Sequence, residues 1–242
     1  MATIEDWIKK KGRLHFTLID PDKQKPEKAG LLARKCAEFG TDAIMVGGST
    51  VSGGIVDDTV REIKKACNLP VILFPSTAAG ISPKADYIFW MMLMNSTNRR
   101  FLVGEQVKAA LPFSKTGVKP IPMGYVVVST SQKPTTVERV GEVDKIMEND
   151  IEKAVSHALA AQYFGMECVY LEAGSGAEKP VPDEMLREVK KNLRIPVIVG
   201  GGIKTPEEAK KKAKAGADVI VTGTIVEKNL ETVKGIIKAF KS

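Results

Sequence analysis

The stretch that decides the fold is VIVGGGIKTPEEA, Val197 to Ala209. Three β-branched apolar residues suit a strand buried on both faces, and they lead directly into the glycines Gly200, Gly201 and Gly202. A helix start follows. Thr205 suits the N-cap, Pro206 the first helical position, and Glu207 and Glu208 the positive end of the helix dipole, while Gly216 is placed to end the helix. Strand, turn and helix in this order make one βα unit whose centre requires backbone without Cβ atoms.

The same alternation runs through the chain. Short apolar runs begin near Leu14 to Asp20, Ala43 to Ser49, Pro70 to Ser76, Tyr87 to Leu93, Ile121 to Val128, Cys168 to Gly174, Pro196 to Gly202 and Asp218 to Thr224, each followed by a segment with helical spacing. Eight such units in 242 residues predict one α/β domain spanning 1–242, a closed (β/α)8 TIM barrel, rather than an open sheet. Two connections depart from the repeat. Ser76 to Tyr87 is too short for a full helix, so the third outer helix is expected to be reduced or missing. Ser129 to Asp150 is long and polar, as expected of an element that covers a substrate.

Composition narrows the function classes. With 43% hydrophobic and 27% charged residues the chain is of ordinary globular make-up, and no run approaches a membrane span. The mixed-charge start gives no signal peptide, and a cytoplasmic protein is expected. Cys36, Cys67 and Cys168 form no C-x-x-C pair and His15 and His157 no ligand spacing, which argues against zinc or thiol chemistry. The net charge of +7 is spread along helices, so an anionic small molecule is expected before nucleic acid.

In such a barrel the loops after the seventh and eighth strands commonly form a phosphate cup, because amides converge on an anion where no Cβ intervenes. Gly200 to Gly202 follow strand seven, and Thr222, Gly223 and Thr224 follow strand eight at the matching height. A third glycine-rich strand end, YLEAGSG (Tyr170 to Gly176), stands beside them, and alternation puts Tyr170 and Glu172 on one face with Leu171 on the other. Glu172 is a candidate general base or metal ligand, with a structural salt bridge as the plainer reading. Asp20 and Asp22, in IDPDK, are candidate oxygen ligands for a hard cation such as Mg2+, although an Asp-Pro turn accounts for Asp22 well. Ser49, at the end of strand two, is either a further ligand or a helix cap.

Taken in order, LIDPDK, VGGST, YLEAGSG, VGGGIKTPEEA and DVIVTGT resemble the geranylgeranylglyceryl phosphate synthase family, archaeal prenyltransferases with bacterial PcrB-type relatives, over nearly the whole chain. The IDPDK and GGST forms and YVVVSTSQKPTTV are more similar to its larger-assembly branch, group II. The resemblance implies a (β/α)8 barrel that moves a geranylgeranyl group from geranylgeranyl diphosphate to the 3-hydroxyl of sn-glycerol 1-phosphate, forming the first ether bond of archaeal membrane lipids. It implies that Asp20 and Ser49 bind Mg2+ and that Glu172 is the base. Glycerol phosphate would lie among Tyr170, Leu171, Glu172, Ala173, Gly174, Ser175, Gly176, Gly201, Gly202, Gly223 and Thr224. A homo-oligomer, a hexamer, is also implied.

A C20 chain needs a long apolar groove, and FWMMLM (Phe89 to Met94) with Tyr125 and Ala78 to Ile81 are its expected lining, while apolar residues around Trp90 and Phe101 are candidates for an interface. Three alternatives stand beside this reading: a longer prenyl donor, as in the bacterial relatives; another phosphate-binding barrel of the isomerase or aldolase kind; and a noncatalytic barrel that binds glycerol phosphate without turnover.

Overall fold

The computed structural model describes residues 3–48 and 53–242, and within them eight parallel strands close into a barrel in sequence order. The strands are β1 (Leu14–Ile19), β2 (Ala43–Val46), β3 (Val71–Leu73), β4 (Tyr87–Leu93), β5 (Lys119–Val127), β6 (Cys168–Glu172), β7 (Val197–Gly200) and β8 (Val219–Thr222). Side chains alternate across this wall. Phe16, Met45, Ile72, Phe89, Met123, Tyr170, Ile198 and Val219 fill the interior, and the intervening residues pack outward against the helices.

A first helix, α1 (Ile4–Lys11), closes the N-terminal end of the barrel: Ile4 is buried in the interior cluster, and Trp7 meets Phe16 and Tyr87 edge to face. The outer layer comprises α2 (Pro26–Glu38), α3 (Gly53–Ala66), α4 (Glu105–Phe113), α5 (Thr136–Val140), α6 (Ile151–Tyr163), α7 (Asp183–Asn192), α8 (Pro206–Ala215), α9 (Thr224–Lys228) and α10 (Leu230–Lys241). The caps of α8 are those its sequence dictates. Thr205 and Glu208 form a reciprocal capping box, Pro206 opens the first turn, and Gly216 closes the helix at φ 100°.

Between β3 and β4 the chain makes only a 3-10 turn, Ala78–Gly80, so no third outer helix covers that part of the wall. The long segment after β5 is held down rather than loose. Glu138 is buried in it, accepting hydrogen bonds from the Ser129 hydroxyl and the Thr135 amide, both at 2.6 Å. Among the described residues no helix is long and apolar enough to cross a membrane.

Candidate active site

With α1 closing one end of the barrel, the cleft opens at the C-terminal ends of the strands, and Glu172 ends β6 there. The register sets Glu172 beside Val127 of β5 and Gly200 of β7, two residues above the pairing of Tyr170 with Tyr125 and Ile198. Glu172 is 5% exposed, and its Oε1 accepts the Gly174 amide at 2.6 Å. The phenols of Tyr170 and Tyr125 also face its carboxylate and favour its ionised form. Burial raises Glu172 above the ordinary carboxylate range, opposed by these three groups. Burial and the neighbouring carboxylate push both phenols well above their usual value, so they remain donors.

The three glycines that end and follow β7 are explained mainly by β6 and its loop. A Cβ on Gly200 would collide with the Tyr170 hydroxyl, one on Gly201 with the Glu172 carboxylate and the Gly174 backbone, and one on Gly202 with the backbone of Lys179 and Pro180. Gly201 and Gly202 also stand at φ 77° and 69°, which Cβ-bearing residues rarely adopt. The turn is therefore bare so that β6 and its loop can lie against it, a requirement additional to space for an anion. The third rim joins through Ser175, whose hydroxyl lies 3.0 Å from that of Thr224 after β8. The loops after β6, β7 and β8 thus meet around Glu172. Leu171 and Ala173 face outward into the apolar layer, and the Ala173 amide is already bonded to the Gly200 carbonyl at 3.0 Å, so neither side chain reaches the cleft.

From this rim a cleft of about 1300 Å3, counting its open mouth, runs toward β3 and β4. Asp20, Lys23, Glu172, Ser175, Gly223, Thr224 and Glu227 make its polar end; Phe74, Ile81, Ile88, Trp90, Met91, Phe101 and Ala109 make its apolar end. Ile88 and Trp90 are on the outward side of β4 and are reached only because the third outer helix is missing. Trp90 packs on Phe113 at 4.9 Å between ring centroids, so it and Phe101 belong to the cleft rather than to an exposed patch. The segment after β5 roofs the cleft with Thr136, Val137, Val140 and Gly141.

At the polar end the Asp20 carboxylate accepts the Asp22 amide at 3.1 Å and lies 3.4 Å from the Lys23 ammonium. Ser49 lies outside the described residues. Among them no three His, Cys, Asp or Glu side chains gather as a metal cage, but Mg2+ commonly takes one or two protein carboxylates and completes its shell with water and substrate phosphate, and the Asp20 oxygens at an open cleft fit that mode. Lys23 closes the LIDPDK motif without being assigned a role by it, and Glu227 lies outside every motif, three residues after Thr224. Burial and Asp20 raise the Glu227 carboxyl, against the effect of Lys23 and Lys28.

Known proteins are similar to this chain in sequence and in fold. A geranylgeranylglyceryl phosphate synthase from Pyrococcus horikoshii is 51% identical over 99% of this chain and 94% of its own length. The crystal structure of (S)-3-O-geranylgeranylglyceryl phosphate synthase from Thermoplasma acidophilum, in complex with its substrate sn-glycerol-1-phosphate, is similar at a TM-score of 0.94 and 46% identity, covering 100% of this chain and 99% of that one. Orotidine 5'-phosphate decarboxylase from Pyrococcus horikoshii, at a TM-score of 0.58 and 18% identity over 93% of this chain and 99% of its own, shares the fold alone. The PcrB family model matches residues 5–241, and the chain belongs to the PcrB family.

Proposed function

We infer that this chain carries the activity its relatives are named for, geranylgeranylglyceryl phosphate synthesis, and is a prenyltransferase. The observation that carries the reading is one continuous cleft with a buried carboxylate, Glu172, at a glycine-rich rim and an apolar trough leading away from it. A small phosphorylated alcohol suits the rim and a long hydrocarbon chain suits the trough.

In this reading glycerol 1-phosphate is held by the segment Tyr170 to Gly176, by Gly201 and Gly202, and by Gly223 and Thr224. The 3-hydroxyl gives its proton to Glu172 as its oxygen bonds to the allylic carbon, and the bond from that carbon to the diphosphate breaks, the electron pair leaving with the diphosphate. Asp20, with Ser49, is the proposed Mg2+ site. The ion, when bound, neutralises charge on the departing diphosphate. Leu171 and Ala173 serve this site by packing.

The apolar end is lined by large side chains, Trp90 and Phe101 among them, and a geranylgeranyl chain is the proposed occupant. A heptaprenyl donor is the second reading, as in the bacterial relatives, because the trough follows the uncovered wall at β3 and β4. A hexamer in the cytoplasm completes the proposal. Light scattering reads its mass against the 26.2 kDa of one chain.

The test incubates the protein with Mg2+, sn-glycerol 1-phosphate and a series of prenyl diphosphates, and extracts the product. Prenylated glycerol phosphate, formed fastest from the C20 donor, supports the reading. Absence of product with every donor overturns it, and faster turnover of the longest donor moves the assignment to the second reading.

A further inference from the structure

Tyr125 opens the stretch YVVVSTSQKPTTV, and the sequence assigns it only to the groove. In the structure it is 6% exposed and its phenol faces the Glu172 carboxylate from the neighbouring strand. The register makes it the partner of Tyr170, two residues deeper than the pairing of Val127 with Glu172. Its hydroxyl therefore meets the carboxylate from beneath and leaves the side toward the rim for a substrate hydroxyl.

The aim of that hydroxyl is fixed by packing. Phe74, Tyr125 and Tyr170 form a three-ring cluster: Phe74 stacks on Tyr170 at 5.7 Å and 19°, and Tyr125 stands edge to face against both, at 5.4 Å and 5.3 Å. A tyrosine has only two χ angles, so rings locked in this way hold their oxygens in place. Gly200 makes room for the Tyr170 hydroxyl, whereas Tyr125 needs no such space. The Gly174 amide bonds a carboxylate that offers about four acceptor sites, and the two phenols face the same group.

We propose that Tyr125 is a positioning residue for the reaction: from the floor of the site it orients the Glu172 carboxylate toward the rim and keeps it in the ionised form that can take a proton. The proposal rests on the reading of Glu172 as the base. Burial alone favours the neutral acid, which cannot accept a proton, and donors directed at the ionised form oppose that tendency. The charged groups sharing the cleft are Asp20 and Lys23 after β1, Glu105 of α4 and Glu227 of α9, whereas the direct partners of Glu172 are the phenols of β5 and β6 and the Gly174 amide.

The test is Tyr125→Phe in the full chain, which keeps the ring and removes the oxygen. In the ligand-free protein, carbon-13 signals of labelled glutamate carboxyls are followed against pH, with Glu172 assigned by its absence in Glu172→Gln. Loss of the hydroxyl should move the Glu172 midpoint up by about one pH unit, a tenfold change in its ionisation. Below that midpoint kcat should fall several-fold, recovering as pH rises, while KM for sn-glycerol 1-phosphate stays within about twofold. An unmoved or lowered midpoint in the folded variant overturns the proposal. Should Tyr125→Phe not fold, 3-fluorotyrosine at position 125 makes the same phenol a stronger donor and should lower the midpoint; no movement there also overturns it. Full turnover by Glu172→Gln would sink the base reading instead, whereas an inactive Glu172→Gln beside an unshifted Tyr125→Phe sinks the positioning role alone.

Discussion

The phenol oxygen of Tyr170 occupies the place a Cβ at Gly200 would take, so the last residue of β7 is glycine to make room for a side chain of β6. A methyl group at 200 must push the Tyr170 hydroxyl off Glu172. Gly200→Ala should therefore cost about 1–3 kcal/mol in denaturant unfolding, as overpacking does, and lower kcat more than tenfold. Wild-type kcat in that variant would show that the Tyr170 hydroxyl plays no part in turnover.

Glu172→Gln preserves shape and most of the hydrogen bonding but removes the base. A positioned base is worth about 10²–10⁴ in rate, and turnover should fall by that order while calorimetry still shows binding of sn-glycerol 1-phosphate. Joint loss of binding and turnover would mean that Glu172 holds the substrate rather than deprotonating it.

Ionising Glu172 in its buried place works against the fold. Because its folded value is raised, its contribution to stability is present below the unfolded value of 4.5 and is lost as pH rises through the folded value. Glu172→Gln should accordingly melt higher than the parent near pH 7, with the difference vanishing at acid pH. A lower Tm for the variant at neutral pH would contradict the raised value.

His15 titrates the other way. It lies on the outward side of β1, fully buried, with its ring nitrogens 2.8 Å from the Thr41 hydroxyl and 2.9 Å from that of Thr222, and burial lowers its pKa from 6.5 to about 3. A depressed value means stability that is present above pH 6.5 and lost progressively between there and about pH 3 as the unfolded chain takes up the proton. The loss should be on the order of 2 kcal/mol by pH 5. Urea unfolding between pH 7 and 5 should show a slope shallower by nearly one proton in His15→Gln; equal slopes would mean that the imidazole is protonated in the fold.

Asp20→Asn keeps the hydrogen-bonding shape of the turn and removes the charge that draws a divalent cation. The concentration of Mg2+ giving half-maximal rate should rise about tenfold or more, and an unchanged requirement would assign the ion to other oxygens.

Much of the fold was legible because its signals are local. The N-cap at Thr205, the terminator at Gly216 and the short connection after β3 each occupy a few consecutive residues. The shared face of Tyr170 and Glu172 followed from alternation alone. What escaped local reading depends on neighbours distant in the chain. Gly200 is explained by Tyr170, thirty residues earlier, and Tyr125 reaches Glu172 only because β5 and β6 pair in one register. Trp90, within FWMMLM, read both as groove lining and as an interface candidate, whereas Phe101 read only as the latter because no local signal places it in the trough. Leu171 and Ala173 lie within the motif, yet alternation, applied to them as to Glu172, sends their side chains into the outer layer.

The central claim is that a phosphorylated glycerol sits at the meeting of the β6, β7 and β8 loops with its free hydroxyl against Glu172. The most direct measurement is a crystal structure of this chain soaked with sn-glycerol 1-phosphate. The account predicts phosphate between the segment ending at Gly176 and the turns at Gly201 and Thr224, with the 3-hydroxyl oxygen about 2.6–3.2 Å from the Glu172 carboxylate. Phosphate elsewhere, or a 3-hydroxyl turned away from Glu172, would contradict it.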